Sequence, residues 1–499
     1  MPFEVATYED LKKVGSGVDG WNLNSNYIQV ADIQCPTGAS QESFESIGGT
    51  FTGIYNGQNY KIKNFYISQA TQYAALFHTN EGELKNIQLE DVDITVNVAE
   101  SYSYVSGICI WTYAGFVDNC HILSGSITGN GGFVTGIANG GSNITNCTNN
   151  ATISGGNIYT AGIVGEAGDI CNCINYGVVS YSDWTGGIAA YLLWNGVALH
   201  CRNEGALTGF GSDCGGIVGW NEGTVRNCTN TGAITGVRTY GIVGRNYGTI
   251  EDCSNYGNMT ATSEYTTGAG GIVGYHEGGI VRRCVNYGDI SGDQAGGIAR
   301  YAYPLEDCYN HGNVAGDTYS GGVAGNVRKP ITRCYTAGLA TGAGNTGAFA
   351  GQVSGDGAFQ DCYFDTTIGG ATAVGLGDDT GITGMTTDQL TSPYDANAYT
   401  NWDFVEIWRN HPGDYAVLKW QPEPITKYGT LKFQTTGGVI TTPLVNPDDL
   451  VPNMSMLRIG KAGDVMSLQL VSTCDSTYAS PLRVKTPSGI YAFRRVVSP

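Results

Sequence analysis

The chain has 499 residues, of which 75 are glycine and only 14 are proline, and no Gly-X-Y period is present, so a collagen triple helix is excluded. Hydrophobic residues make up 41% and charged residues 14% of the chain, which argues against disorder caused by excess charge. The formal net charge of −19 should repel nucleic acid and anionic membranes, so neither is an expected partner.

The N-terminus shows no targeting signal. Residues 1–4 are followed by neither a basic region nor an apolar core of the kind found in secretion signals. No apolar run approaches the roughly 18 residues that a membrane span needs. Membrane insertion is therefore not expected, and residues 1–43 are predicted to form an N-terminal cap and entry segment.

Residues 44–369 contain an internal repeat of about 26 residues. The copies align on one cysteine, and about a dozen residues before it stands Gly or Ala, followed by a residue of Ile, Val or Phe type. The ten cysteines are Cys120, Cys147, Cys173, Cys201, Cys228, Cys253, Cys284, Cys308, Cys334 and Cys362. The glycine column comprises Gly107, Gly136, Gly162, Gly187, Gly216, Gly241, Gly271, Gly297, Gly322 and Ala348.

One copy, from Gly216 to Ile234, has three short stretches of alternating polarity separated by Gly and Asn. Three strands in this length fit one turn of a three-sided parallel β-helix, whereas a propeller blade needs four strands and usually ~40 residues. We therefore predict an all-β, right-handed, three-sided parallel β-helix (a solenoid) of about a dozen coils. At ~4.8 Å per coil it would be about 60 Å long.

Equivalent residues of successive coils should stack in columns. Neighbouring cysteines would lie ~4.8 Å apart, farther than the ~3.8 Å between the Cβ atoms of a disulfide. We therefore expect a reduced, buried, structural cysteine column with no metal and no cofactor. Two residues after the cysteine, seven asparagines are predicted to bond along the rod: Asn149, Asn175, Asn203, Asn230, Asn255, Asn286 and Asn310. The glycine two residues further on, as in Gly177, is expected to have a positive φ.

A column four residues after the repeat glycine is predicted to point outward. Its aromatic and arginine members are Trp111, Tyr191, Trp220, Arg245, Tyr275 and Tyr301. Such side chains are frequent in sugar and protein binding sites, so the column is a candidate ligand-binding surface. The alternative is that the rings only stack on one another and stabilise the sheet. A second column, three residues after the cysteine, holds Tyr176, Tyr256, Tyr287 and His311.

No catalytic motif was found. The column directly before the cysteine alternates in charge through Asp252, Arg283, Asp307, Arg333 and Asp361, which indicates a salt-bridge ladder rather than the paired carboxylates of a glycoside hydrolase. We therefore expect a protein that is not an enzyme. A polysaccharide-degrading β-helix enzyme is the alternative, because many β-helices cleave polysaccharides.

The composition changes near the C-terminus. Residues 421–499 carry eight Lys and Arg against five Asp and Glu, or +3, whereas the remainder carries 17 − 39 = −22. We predict an exit and cap segment at 370–421 and a small β domain at 422–499 that could serve as an attachment module. Residues 482–493 weakly resemble the C-termini of some phage tail-associated proteins.

The repeats resemble those of GLUG-type β-helix proteins. The entry segment carries this resemblance in Phe51–Gly57 and Ile62–Phe65, and the exit segment carries it in Gly384–Leu390 and Tyr415–Gln421. The family implies a β-helix scaffold and a surface-displayed or adhesive protein. With the missing signal and the C-terminal resemblance, it leads us to expect a tail-associated component of a phage or phage-like virion.

Such a component would bind a host cell-surface glycan or receptor and would contact other particle proteins through 422–499. The alternative is an adhesin on a bacterial cell surface. The oligomeric state stays open between a monomer and a homotrimer.

Overall fold

The computed structural model describes residues 1–69, 72–97, 103–181, 183–209, 213–262 and 267–422, together with six strands between residues 430 and 493. The chain divides into two units, Met1–Leu418 and Lys419–Pro499. The first unit is a parallel β-solenoid of about 13 turns, which confirms the predicted all-β solenoid. No helix among the described residues is long and apolar enough to cross a bilayer.

A complete coil contains five short strands, not the three expected. A representative coil runs through Val218–Asn221, Thr224–Arg226, Thr229–Asn230, Ile234–Gly236 and Arg238–Tyr240. We assign these strands to sheets V, I, II, III and IV, respectively. Every strand pairs in parallel with its equivalents in the coils before and after it.

The five sheets extend along most of the solenoid. Sheets I and II have 14 strands each, sheet V has 13, and sheets III and IV have 11 each. Their first and last strands are Phe3–Val5 and Phe359–Gln360 (I), Ile33–Gln34 and Ile382–Met385 (II), Tyr66–Gln69 and Ala340–Thr341 (III), Tyr73–Ala74 and Asn345–Gly347 (IV), and Ile47–Phe51 and Val374–Leu376 (V).

One of the two additional strands arises from a break at the residue before each cysteine. Asn227 has a φ of 53° and separates Thr224–Arg226 from Thr229–Asn230. The same left-handed conformation recurs at Asp252 and at Arg283. Asparagine and aspartate tolerate this conformation better than most residues, whereas arginine gains no such local advantage.

The prediction of a positive φ for the glycine after the asparagine is wrong. Gly177 lies outside the left-handed region, and a Cβ there would come within 1.9 Å of the carbonyl oxygen of Ala151. Gly205 is packed in the same way, 2.0 Å from the carbonyl oxygen of Gly177. Glycine is therefore needed at this column because adjacent coils approach too closely for a side chain.

The cysteine column lies inside the solenoid. Cys228 is buried, and its thiol donates to the carbonyl oxygens of Arg226 at 3.3 Å and of Ala198 at 3.4 Å. The backbone N–H of Cys284 donates to Cys308 Sγ at 3.4 Å, which joins consecutive coils. Burial raises the pKa of Cys362 to about 12, so this thiol is protonated at neutral pH.

The asparagines form a buried ladder of side-chain hydrogen bonds. Each Nδ2 donates to Oδ1 of the asparagine in the next coil, at 2.9 Å from Asn175 to Asn203 and at 2.8 Å from Asn203 to Asn230. The same Nδ2 also donates within its own coil, as Asn203 does to the carbonyl oxygen of Gly205 at 2.9 Å. The ladder runs from Asn149 to Asn310 and ends on Thr336.

Short helices lie at the two ends of the solenoid. The N-terminal end has helix Tyr8–Lys13, whose capping box pairs Thr7 with Asp10, and two single-turn 3₁₀ helices, Val18–Gly20 and Gly38–Ser40. The C-terminal end has helices Thr366–Gly369 and Thr387–Leu390 and a strand pair, Trp408–Arg409 with Val417–Leu418.

The exit segment packs on the outer face of sheet II. Trp408 Nε1 donates to Asp307 Oδ1 at 3.0 Å, and the Tyr335 hydroxyl donates to the carbonyl oxygen of Ala416 at 2.9 Å. This face carries the second aromatic column, whose His311 lies 5.2 Å from the ring of Tyr415. The last coils are therefore covered by the segment that follows them.

The second unit has antiparallel strand pairs. Those described are Thr430–Thr435 with Gly438–Pro443, Met456–Lys461 with Asp464–Gln469, and Leu482–Thr486 with Gly489–Phe493. Small antiparallel β structure at the C-terminus agrees with the prediction. Cys474 of the sequence lies outside the described residues.

Candidate binding cleft at a corner of the solenoid

The six outward residues singled out in the sequence share one column of sheet V. Tyr191 pairs with Trp220, Trp220 with Arg245, Arg245 with Tyr275, and Tyr275 with Tyr301. Trp111 lies at the N-terminal end of the column, separated from Tyr191 by Gly140 and Glu166. All six side chains are half-buried rather than fully exposed.

A facing column on sheet IV was missed by the sequence analysis. It lies three residues before the repeat glycine, a spacing that the repeat alignment could have revealed. Its members are Tyr73, Tyr104, Phe133, Tyr159, Trp184, Asp213, Arg238, Gly268, Gln294, Tyr319 and Asn345.

The two columns contact each other along the outside of the solenoid. Ring centroids are 5.4 Å apart between Tyr104 and Trp111, and 4.8 Å apart between Trp184 and Trp220. Outward side chains of two consecutive sheets can meet in this way only if the sheets form a concave angle on their outer side. We call this surface, formed by the two columns, the corner cleft.

The N-terminal part of the cleft is dominated by rings, and we call it the aromatic half. Its rings are Tyr104, Trp111, Phe133, Tyr159, Trp184, Tyr191 and Trp220. Glu166 lies among them, and its pKa is raised by burial. Such rings present flat apolar faces with polar edges, which suits the stacking of sugar rings.

The C-terminal part carries guanidinium groups over rings, and we call it the arginine half. Arg245 Cζ lies 5.2 Å from the ring of Trp220 and 5.4 Å from that of Tyr275. Three more arginines lie over the two tyrosines: Arg238 and Arg300 over Tyr275, at 5.5 and 5.0 Å, and Arg328 over Tyr301, at 4.3 Å. These are cation–π distances, and they hold the guanidinium groups along the cleft.

Asp213 is a buried carboxylate between the two halves. Its side chain is 2% exposed and lies 3.5 Å from Arg245 Nε and 3.9 Å from Arg238 Nη1. Burial raises the pKa of Asp213 to about 6, although Arg245, Arg238 and Arg300 act to lower it. The two arginines therefore offset only part of the cost of burying this carboxylate.

Several buried polar atoms around Asp213 lack a hydrogen-bond partner within the described part of the chain. They are Asp213 Oδ1, Trp220 Nε1, Arg238 Nε and Arg245 Nε. Buried polar atoms are normally hydrogen-bonded, so a cluster of exceptions calls for an explanation. Their location in the cleft fits a site completed by a polar group from outside the chain.

Arg300 lies beneath the cleft at a position that is glycine in neighbouring coils, such as Gly274 and Gly325. It is 1% exposed, and its Nη1 donates to the Tyr240 hydroxyl at 3.2 Å. Its Nε donates to Gln294 Oε1 at 3.0 Å. The arginine half thus rests on a buried cation that the repeat pattern alone does not predict.

The two other predicted columns serve the scaffold. In the second aromatic column, Tyr256 stacks on Tyr287 at 4.9 Å. In the charged column, Arg283 makes two hydrogen bonds to Asp252, at 2.6 and 3.0 Å, and Arg333 binds Asp307 in the same way. Within the described residues, no cluster of three or more His, Cys, Asp or Glu side chains could hold a metal ion.

Comparisons with known proteins support the scaffold and leave the activity open. Residues 211–235 match the GLUG motif, and this match within a parallel β-solenoid fits a GLUG-repeat β-helix protein. No curated protein matches the chain significantly. One crystal structure with some similarity is of a candidate immunoglobulin A1 protease from Bacteroides ovatus, at 15% identity and a TM-score of 0.32 over 84% of this chain and 93% of that one. This likeness is too distant to support an argument about function.

Proposed function

We propose that this GLUG-repeat β-helix protein is a recognition protein, not an enzyme, and that its corner cleft binds a glycan on a cell surface. The observation that carries the proposal is the pair of facing columns, which line one concave surface with half-buried rings. Aromatic residues with a few polar groups are the usual lining of ligand sites. The rings are already held by their neighbours, so a ligand would lose little binding energy in ordering them.

The dimensions of the cleft suit an extended ligand. Trp111 and Tyr301 are seven coils apart in the sheet V column. At ~4.8 Å per coil this distance is about 34 Å. An oligosaccharide of several sugars could therefore contact successive coils, one ring after another.

The alternative is that the rings only stabilise the sheets, and binding measurements separate the two functions. The full chain is applied to an array of bacterial and host oligosaccharides, and affinities for bound glycans are then measured in solution. We expect Trp220→Ala and Tyr275→Ala each to weaken binding about tenfold or more. Binding that is unchanged in both variants contradicts the proposal.

Two exposed aromatic residues outside the cleft provide matched controls. Trp194 is 77% exposed on the turn after sheet V, and Tyr256 is 49% exposed directly after the sheet II strand Ser254–Asn255. Trp194→Ala and Tyr256→Ala should leave glycan affinity unchanged. Release of reducing ends or unsaturated products from a bound glycan would instead identify a polysaccharide-degrading enzyme.

We further propose that the protein is displayed on a phage or phage-like particle and attached through residues 422–499. The charge contrast supports this proposal, since residues 421–499 carry +3 and the rest of the chain −22. The native source would be fractionated on a density gradient and blotted for this chain. Banding with particles would support the proposal, whereas sedimentation with the cell envelope would favour an adhesin. A truncation at Gln421 that still joins the particle would exclude attachment through this segment.

A further inference from the structure

Charge is divided unevenly along the corner cleft. In the aromatic half, burial raises the pKa of Tyr159, and the nearby acidic groups Glu166, Glu222 and Asp183 raise it further. In the arginine half, Arg238, Arg245 and Arg328 lie over rings of the cleft. A ligand that is charged uniformly along its length would suit only one half.

The arginine half has more positive than negative charge. The carboxylate of Asp213 lies against Arg238 and Arg245 and has Asp183 as an acidic neighbour, and the buried Arg300 adds a third cation below them. The side chains of Arg238 and Arg245 are 29% and 27% exposed, so part of each remains accessible from the cleft. This excess stands out on a chain whose net charge is −19.

The unpartnered atoms point to the same place. Asp213 Oδ1 and Trp220 Nε1 are buried without a hydrogen-bond partner among the described residues, and both groups lie next to Arg245. One oxygen-rich group beside Arg238 and Arg245 could accept from the guanidinium N–H groups and from the indole. Its hydroxyls could donate to the carboxylate of Asp213. A sugar that bears a carboxylate has both kinds of group.

We infer that the arginine half is a subsite for the carboxylate of an acidic sugar, carried on a glycan whose neutral sugars lie along the aromatic half. This inference rests on the proposed glycan-binding function and names the class of glycan. Guanidinium groups recognise carboxylates through paired N–H donors in a planar fork, which a neutral sugar cannot use as well. The rings below Arg238 and Arg245 restrict their motion and prepare both groups for the ligand.

Pairs of oligosaccharides that differ only in the acidic group test the inference. The panel contains 3′-sialyllactose, glucuronate-terminated oligosaccharides and their carboxyl-reduced counterparts, measured against the full chain by calorimetry. We expect the carboxylated member of a pair to bind about 10- to 100-fold more tightly. The ratio of the two affinities should fall toward one in the Arg238→Gln, Arg245→Gln double variant. It should stay unchanged in the Lys61→Gln, Arg202→Gln double variant, a control on sheet II with the same loss of charge.

Folding of the variants is controlled separately. The double variant leaves Asp213 without its two arginines, so a triple variant with Asp213→Asn removes the unpaired charge, and both are checked by circular dichroism. Equal affinity for the two members of each bound pair overturns the inference but leaves glycan binding intact. Failure of both members of every pair to bind overturns the proposed function together with this inference.

Discussion

The ring of Tyr240 fills the space that a side chain at position 274 would need. A Cβ on Gly274 would lie 2.2 Å from Cζ of Tyr240 and 2.6 Å from the carbonyl oxygen of Gly244. Gly268 makes room for Arg300 in the same way, since a Cβ there would lie 2.4 Å from its Nε. Two glycines therefore admit the Tyr240–Arg300 pair beneath the arginine half.

The Gly274→Ala variant should lose stability for this reason. Overpacking against a ring and a backbone carbonyl typically costs about 1–3 kcal/mol. We expect this loss in the free energy of urea unfolding. Gly278→Ala is the matched control, because the nearest atom to a Cβ at Gly278 is 3.7 Å away. Equal stability of the two variants would show that Tyr240 can move aside without cost.

The asparagine ladder should depend on every one of its members. In the Asn203→Ala variant, Asn175 and Asn230 each lose a hydrogen-bond partner, and the carbonyl oxygen of Gly205 loses its donor. Leaving buried polar groups unsatisfied costs about 1–3 kcal/mol each, so for these three groups we expect a total loss of about 3 kcal/mol or more in chemical unfolding. Asn150→Ala, at an exposed position, should change stability by less than about 0.5 kcal/mol. A loss at Asn203 no larger than that at Asn150 would contradict an energetic role for the ladder.

The sequence predicts correctly those features of the fold that recur in every coil. The recurrence of Cys228 and Asn230 at fixed spacing predicts the stacking of coils, because one column is filled by cysteine and the other by asparagine. It did not locate the strand break at Asn227, since a left-handed residue there can be Asn, Asp, Arg or His. It also assigned Gly177 the wrong reason, because contact with the previous coil cannot be distinguished from a positive φ in sequence alone.

The candidate site was only half predicted. Trp220 and Tyr275 were found because aromatic residues recur at one repeat position. The facing column was missed, since Asp213 and Arg238 differ in type from the rings that precede them. Arg300 was missed because it interrupts a glycine column, and its location becomes meaningful only when Gly268 and Tyr240 are seen around it. Sequence repeats reveal what coils share, whereas this cleft depends on where they differ.

The stability of the protein should depend on the ionisation of Asp213. Burial and the neighbouring Asp183 raise its pKa to about 6, against the opposing effect of Arg245, Arg238 and Arg300. The folded-state pKa exceeds the unfolded value near 3.8. Burial of the carboxyl therefore costs almost no folding free energy at low pH, below about pH 4, where it is protonated in both states. The cost grows as pH rises toward 6 and reaches about 3 kcal/mol above it, at 1.36 kcal/mol per pKa unit.

The Asp213→Asn variant should remove this pH dependence. Unfolding free energies would be measured for both proteins at pH 4.5 and pH 7.5. We expect the variant to gain about 2 kcal/mol relative to the original chain between the two values, because about 1 kcal/mol of the cost is already present at pH 4.5. A difference that is the same at both pH values would mean that Asp213 titrates normally, with its charge fully compensated by the arginines.

Asp307 should hold the exit segment on the last coils. Its Oδ1 accepts from Trp408 Nε1 at 3.0 Å, and Arg333 binds both of its oxygens, at 2.7 and 2.8 Å. Asp307→Ala removes all three bonds and leaves Arg333 without this partner. We expect a stability loss of about 3 kcal/mol, faster proteolysis within residues 394–418 and a red shift of the tryptophan fluorescence.

The Asp252→Ala variant is the control that isolates the contribution of the Trp408 hydrogen bond. It has the same left-handed backbone, with a φ of 56° against 53° at Asp307, and the same two-bond pairing with an arginine, Arg283. The tryptophan bond to Asp307 spans 101 residues of the chain, so it joins the exit segment directly to a coil. Asp252→Ala should therefore destabilise the protein without exposing residues 394–418 to protease. If both variants are cleaved there at the same rate, the segment is held by its ring contacts, such as Tyr415 on Tyr335 at 5.8 Å, and not by Asp307.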